Sequence, residues 1–232
     1  MPKGLGKALQ DALDGLEKPE SVSSGSSTLL NAHRRRIFEY LCLRPFSTAG
    51  RIASDLKSSP SSVMWHLRSM ELAGYIVHRK QDNIYYPKDF VDIADSGMFT
   101  VLHEPKRREA LAFVFLNPGA SQTEVAREER LSRQTAGKAL AELETVGLAT
   151  RLTDGRFARW YPTDLLREKQ DAQRVRSRAY VESFIKRLEA EGQSPQILRR
   201  TETELQLRFG HGRERGVLSV PLDPYGAITI QQ

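Results

Sequence analysis

The side chains best suited to chemistry lie in a segment that reads SPSSVMWHLR. It supplies the hydroxyls of Ser59, Ser61 and Ser62, the indole of Trp65 and the guanidinium of Arg68. Hydroxyl and guanidinium groups hydrogen bond to base edges and phosphates, and an indole adds apolar contact area. At helical spacing residues 61, 65 and 68 share one face. The segment therefore indicates a helix that presents a nucleic-acid-binding face.

A basic pair, Arg79 and Lys80, follows where β-prone residues give way to a polar turn, a place suited to phosphate or minor-groove contacts. The net charge of +6 is concentrated nearby, because residues 31–90 contain 10 basic and 5 acidic residues. Arginines at residues 34–36 open a predicted helix, where cations oppose the helix dipole and hint at an external anion. The charge pattern favours an acidic partner such as double-stranded DNA.

The chain then repeats the pattern. Pro45 aligns with Pro118 and Gly74 with Gly147, both 73 positions apart and without a gap between them. After the glycine the phrase YYPKDF returns as WYPTDL. This period is too long for a solenoid repeat, so each copy is interpreted as a small domain. The second copy offers its own candidate DNA-contacting residues: Arg133, Gln134, Lys138, Arg151, Arg156 and Arg159.

Each copy carries three helical patterns and then two β-prone runs around a polar turn. Ser59 and Ser132 are the predicted N-caps of the third helix, and Gly74 and Gly147 are predicted to end it in the left-handed conformation. Three helices and a hairpin in this order make a winged helix-turn-helix. The predicted fold is mainly α with small β hairpins (α+β), a tandem winged helix-turn-helix followed by a long helix and a small C-terminal antiparallel β segment.

The first copy, RIASDLKSSPSSVMWHLRSMELAGYI, resembles the ArsR-type winged helices. The tandem resembles the archaeal predicted transcriptional regulators that contain two winged helix-turn-helix domains. This resemblance implies a DNA-binding transcriptional regulator. The second copy departs from the pattern, with Glu129 at the position of Leu56 and Ala139 at that of His66. Whether the second copy contacts DNA is left open.

Several classes of function are disfavoured. The five histidines have no partner Cys, Asp or His at ligand spacing, so no metal site is expected, and His66 is interpreted as a packed helix residue. No phosphate loop or nucleophile elbow occurs, so neither an enzyme nor a cofactor is expected. The single cysteine, Cys42, is predicted to be a buried thiol. Without an apolar run of membrane-spanning length or a secretory signal, the expected location is the cytoplasm, with no membrane partner.

The flanking segments have patterns of their own. Residues 5–16 place leucines on one stripe before a linker that reads SVSSGSS. Residues 164–191 can form one long helix, whose apolar stripe is either a homodimer surface or folded back on its own domain. After Pro195 the runs TELQLRF, VLSVPL and AITI predict a sheet of about three strands. The predicted segments are 1–28, 29–90, 91–105, 106–163, 164–192 and 193–232.

Three functions fit this organisation. The first is a transcriptional regulator that binds double-stranded DNA as a homodimer, with its effector unknown. The second is a scaffold that uses winged helices for protein contacts in a nucleic-acid or chromosome complex without reading sequence. The third is a replication or recombination initiator.

Overall fold

The computed structural model describes residues 27–155, 157–211 and 214–229 of the 232-residue chain. The helix predicted at residues 5–16 and all of the linker except Ser27 lie outside the described residues. Within these ranges no helix is both long enough and apolar enough to cross a membrane.

The first unit consists of three helices and a hairpin. Its elements are α1 (Ala32–Leu43), α2 (Ala49–Leu56), α3 (Pro60–Leu72), β1 (Ile76–Arg79) and β2 (Ile84–Pro87). The two strands pair antiparallel, with Ile76 opposite Pro87. Between α1 and α2 the backbone of Ser47 exchanges two hydrogen bonds with Tyr85, of 3.2 and 2.8 Å, and so extends the hairpin by one bridge. This arrangement is a winged helix-turn-helix, and the predicted mainly α fold with small antiparallel sheets is confirmed.

The same order of elements recurs in the second unit. It contains α5 (Pro105–Leu116), α6 (Gln122–Glu128), α7 (Arg133–Thr145), β3 (Ala149–Asp154) and β4 (Phe157–Pro162), after the connecting helix α4 (Ser96–Leu102). Ala120 bridges Trp160 as Ser47 bridges Tyr85. The second hairpin is longer, with 6 residues in each strand where the first has 4.

The boundaries of the third helix in each unit follow local rules. The side chains of Ser59 and Ser132 accept hydrogen bonds from the backbone N–H groups three residues later, so both predicted N-caps are confirmed. Gly74 and Gly147 follow α3 and α7 with φ of 75° and 76°, a conformation that a side chain would strain. The predicted left-handed glycines are therefore confirmed as well.

The connector between the units is packed against the first unit. A 3-10 turn over Ile93–Asp95 leads into α4. Phe99 of α4 is fully buried, and its ring centroid lies 5.6 Å from that of Phe46 in the first unit. Both units consequently share one continuous apolar cluster.

The long helix α8 (Leu165–Ala190) is folded back on the chain. Phe184 stacks on Phe38 of α1 with a centroid separation of 5.4 Å, and Tyr180 meets Phe90 at 4.8 Å. Of the two alternatives for its apolar stripe, the structure has the packed one. Val175 of the same helix does not belong to this packed face and is 70% exposed.

The C-terminal segment forms a three-stranded antiparallel sheet and a short helix. Its elements are β5 (Gln196–Arg200), β6 (Glu204–His211), β7 (Glu214–Pro221) and α9 (Pro224–Thr229), in the strand order β5-β6-β7. The third strand was predicted wrongly. Residues 227–229 of AITI belong to α9, because Asp223 accepts a hydrogen bond from the Gly226 N–H and Pro224 stands at the helix start. The strand β5 was missed because all of its residues are exposed and show no alternation.

Replacing Phe184 by Ala should lower the free energy of unfolding by about 3–5 kcal/mol, since a fully buried aromatic ring is lost. Chemical denaturation of both proteins measures the change. Val175→Ala on the same helix is the matched control and should change stability by less than about 0.5 kcal/mol. A loss below about 1 kcal/mol for Phe184→Ala would contradict the packing of α8 on α1.

Candidate nucleic-acid interface

The helix α3 buries one face and exposes the other. Its buried face, which packs into the first unit, consists of Val63, His66, Leu67 and Met70. The predicted contact residues Ser59, Ser61, Ser62, Trp65 and Arg68 are all exposed, and so are the apolar side chains of Met64 and Leu72. A helix anchored this firmly on one side presents the other side as a rigid surface.

The serines at the start of α3 have different roles. Ser59 accepts a hydrogen bond of 3.2 Å from the Ser62 N–H, and its hydroxyl lies 3.3 Å from that of Ser61. The side-chain oxygen of Ser59 is therefore the N-cap acceptor of α3. Ser61 and Ser62 are the second and third residues of the helix, and their hydroxyls lie at its exposed N-terminal end. Backbone N–H groups at this end also favour an anion.

The ring of Trp65 contacts the side chains of Arg34 and His66. The guanidinium carbon of Arg34 lies 5.5 Å from the centroid of the indole, and the ring of His66 meets it edge-on at 4.9 Å. The indole still exposes 39% of its surface. Arg34 thus places a cation beside the exposed face of α3, a contact that the arginine run at residues 34–36 signalled only as an excess of charge.

The second arginine of that run serves the fold. The guanidinium of Arg35 donates to the carbonyl oxygens of Leu29 and Leu30 at 3.0 and 2.6 Å. Arg108, 73 positions later, donates in the same way to Leu102 and His103 at 2.8 and 3.0 Å. The interpretation of the arginine run as a site for an external anion is corrected for Arg35, which like Arg108 binds the carbonyls at the end of the preceding turn or helix.

The first wing is stiffened at its tip. His78 stacks on Tyr85 with centroids 4.2 Å apart and contacts the Asn83 side chain at 3.1 Å. Arg79 forms an ion pair with Asp82, so its charge is partly committed within the wing. Lys80 is exposed and has no side-chain partner among the described residues. Of the two predicted wing cations, Lys80 is the one left available to an outside phosphate.

The equivalent helix of the second unit, α7, carries acidic residues close to its cations. Arg133 and Gln134 are exposed, as predicted. Lys138 is also exposed but lies 3.9 Å from Glu142, which in addition accepts a 2.5 Å hydrogen bond from Arg107. Arg107 holds the pKa of the Glu142 carboxyl below its usual range, so the carboxylate is charged and offsets the neighbouring cations.

Part of the positive charge of the second wing is also paired within the protein. Arg159 is half-buried and lies 3.6 Å from Glu124 and 3.4 Å from the carbonyl oxygen of Gly119. Arg151 is exposed and has no side-chain partner in the ranges that the structure covers. Arg156 lies outside the described residues. Leu152 and Phe157 expose more than half of their surfaces, so this wing is more apolar than the first.

Two buried histidines are neutral. Burial, together with Arg34 and His33, lowers the pKa of His66 to about 4, and burial with Arg51 and Arg44 does the same for His103. His66 stacks on His33 of α1 at 5.6 Å, which confirms its predicted packing role. The described residues contain no group of three or more His, Cys, Asp or Glu that could hold a metal ion. Cys42 is buried as predicted, and burial raises the pKa of its thiol.

A helix-turn-helix whose second helix exposes hydroxyl, indole and guanidinium groups beside a basic wing is the arrangement of a nucleic-acid-binding winged helix. Residues 30–77 match the family described as winged helix-turn-helix DNA-binding. The first unit is therefore a winged helix-turn-helix domain by both geometry and sequence. This match covers α1, α2, α3 and the first residues of β1.

Similarity to individual proteins is more distant. An uncharacterised HTH-type transcriptional regulator of Methanocaldococcus jannaschii is 28% identical over 135 residues, which are 57% of this chain. The aligned region spans about a third (34%) of that relative's length. Among solved structures, an ArsR-like transcriptional regulator from Rhodococcus sp. RHA1 is 21% identical and covers 42% of this chain and 89% of its own, with a TM-score of 0.37. ScpB from Mycobacterium tuberculosis is 20% identical, with coverage of 58% and 92% and a TM-score of 0.24.

The imidazoles of His66 and His103 should stay neutral from pH 7.5 down to pH 5, because both pKa values lie near 4. NMR of the imidazole resonances, assigned with His66→Gln and His103→Gln, measures this directly. The urea-unfolded chain is the control, and there both groups should titrate near their ordinary pKa of about 6.5.

The unfolded chain then binds protons that the folded chain does not, so the free energy of unfolding should fall as the pH drops from about 6.5 towards 4. A midpoint above pH 6 for His66 in the folded protein would contradict its burial between α1 and α3.

Proposed function

We propose that this protein is a DNA-binding transcriptional regulator. The observation that carries the proposal is the exposed face of α3, where Ser61, Ser62, Trp65 and Arg68 project from a helix that is buried on its other side. The match of this unit to a DNA-binding winged-helix family supports it. The name of the M. jannaschii relative, a transcriptional regulator, supports the regulatory role.

Within this proposal the helix and the wing contact different parts of the DNA. The α3 side chains enter the major groove, where Arg68 suits a guanine edge and the serine hydroxyls suit bases or phosphates. Lys80 contacts a phosphate outside the groove, and Arg79 joins it if its ion pair with Asp82 opens. The charge of residues 31–90, with 10 basic and 5 acidic residues, provides the attraction that such binding requires.

We further propose that the second unit is a second winged-helix domain with a weaker hold on DNA. Its support is the repeated order of helices and hairpin and the paired bridges of Ser47 and Ala120. Arg133, Gln134 and Arg151 are its accessible contact residues. The carboxylate of Glu142, beside Lys138, reduces the attraction of α7 for phosphate. The tandem therefore carries one strong and one weak DNA contact.

A homodimer completes the proposal, since two-fold symmetric operators match two-fold symmetric proteins. The apolar stripe of α8 is buried within its own chain, so the interface between copies lies elsewhere on the surface.

The function is tested by fluorescence anisotropy of the full chain on promoter and random duplexes across a salt series. We expect affinity that falls with salt, a preference for one duplex that persists at high salt, and two chains bound per site. Absence of binding to every duplex at low salt would overturn the proposal and favour the protein-interaction scaffold. One chain per site would overturn the homodimer alone.

Lys80→Ala should weaken binding to all duplexes by a similar factor and reduce the salt slope by about one, because one phosphate contact is lost. Lys88→Ala, at the base of the same wing, is the matched control for a change of charge alone. An equal loss in both variants would remove the wing tip from the interface.

Arg68→Ala should instead change the preference among duplexes, by about 1–3 kcal/mol at the base pair that it reads. Competition between the preferred duplex and single-base variants measures this difference. A uniform loss for every sequence would assign Arg68 to the phosphate backbone.

A further inference from the structure

A cleft of about 390 Å³ lies between α8 and the C-terminal sheet, away from both winged helices. Helix α8 contributes Arg174, Ser177, Arg178 and Val181 to its lining. The end of β5 and the turn after it contribute Arg200, Thr201 and Glu202, and Leu222 completes the lining. Its size falls in the range of pockets that bind small molecules. None of the residues proposed to contact DNA lines it.

The cleft has an excess of positive charge. Arg174 is partly neutralised, because its guanidinium lies 3.2 Å from Asp171 and 3.7 Å from Glu202. The side chains of Arg178 and Arg200 have no ion pair or hydrogen bond to any other residue in the described ranges. These two guanidinium groups are available to bind an anion from two different elements of the fold.

The inner wall combines apolar and polar groups. Val181 and Leu222 expose 1% and 3% of their surfaces. The polar group is Ser177, whose hydroxyl donates to the Arg174 carbonyl oxygen at 3.0 Å. A ligand here meets cations at the mouth, with the apolar side chains of Val181 and Leu222 beneath them.

We propose that this cleft binds a small organic anion, a carboxylate or a phosphomonoester attached to an apolar group. Guanidinium groups pair with the oxygens of both anions through two parallel hydrogen bonds, which makes arginine the preferred residue for them. The aliphatic wall selects for an organic group over an inorganic ion. The proposal goes beyond DNA binding and does not depend on it.

Isothermal titration calorimetry of the full chain without DNA tests the site with phenyl phosphate, benzoate and phenol. We expect binding of at least one of the two anions and none of phenol at the same concentration. The relative affinities of phenyl phosphate and benzoate distinguish the phosphomonoester from the carboxylate. Inorganic phosphate should bind more weakly than phenyl phosphate, because it does not use the aliphatic wall.

Arg178→Gln and Arg200→Gln should each weaken the anion by about tenfold or more, the loss expected for one charge-assisted pair. Lys186→Gln removes an exposed cation from the same helix outside the cleft and should change affinity by less than about twofold. Thermal unfolding of each variant confirms that the fold is retained, since all three side chains are exposed.

Three results would overturn the proposal. No heat with either anion means that the cleft is not a ligand site. Equal losses in the Arg178, Arg200 and Lys186 variants indicate unspecific attraction. Loss of DNA affinity in the Arg178 and Arg200 variants, without anion binding by the original protein, assigns these arginines to the DNA backbone.

Discussion

The stack of Phe184 on Phe38 is the contact on which the arrangement of the molecule depends. Phe184 also meets Tyr75 and Tyr180, with centroids 5.8 and 5.7 Å away, so one ring joins α8 to α1 and to the residues just after α3. Aromatic clusters of this kind contribute large apolar burial. Once the stack fixes α8, Arg187 reaches the carbonyl oxygen of Gly74 at 2.5 Å and the C-terminal sheet can pack over α1. The position of α3 is thereby tied to the helix that lines the proposed anion-binding cleft.

Comparison of the two units shows how equivalent positions acquire different uses. Arg35 and Arg108 make the same contact to the preceding carbonyls, because both units need the same helix entry. Arg34 and Arg107 also occupy equivalent positions, yet one lies over Trp65 and the other binds Glu142. The difference arises from the partner helix, which carries an indole in one unit and a carboxylate in the other. The surface near α3 keeps its cation, and the cation near α7 is neutralised.

Local features were predictable from the sequence, and features set by distant packing were not. Ser59 and Gly74 were correctly identified because capping and left-handed turns depend on a few neighbouring residues. The apolar stripe predicted that residues 164–191 form a helix, but it did not predict what α8 packs against, because apolar spacing does not specify the covering surface. The strand at 196–200 carries no alternation, and AITI has strand propensity that the Asp223–Pro224 helix start overrides. In the candidate interface, the exposed side chains of α3 followed from helical spacing. The roles of Arg34 and Asp82 depend on contacts that spacing alone does not specify.

The contacts of the C-terminal segment affect when the first unit can complete its packing during synthesis. Its backbone N–H at Ser219 donates to Glu39, 180 positions earlier, and Tyr225 donates to Asp95, 130 positions earlier. A nascent chain that has completed the first winged helix still lacks Phe184, which covers Phe38, and the strand that covers α1. Contacts of such long sequence separation close late and slowly. We therefore expect α3 to reach its final rigidity only after residues 184–225 have been synthesised.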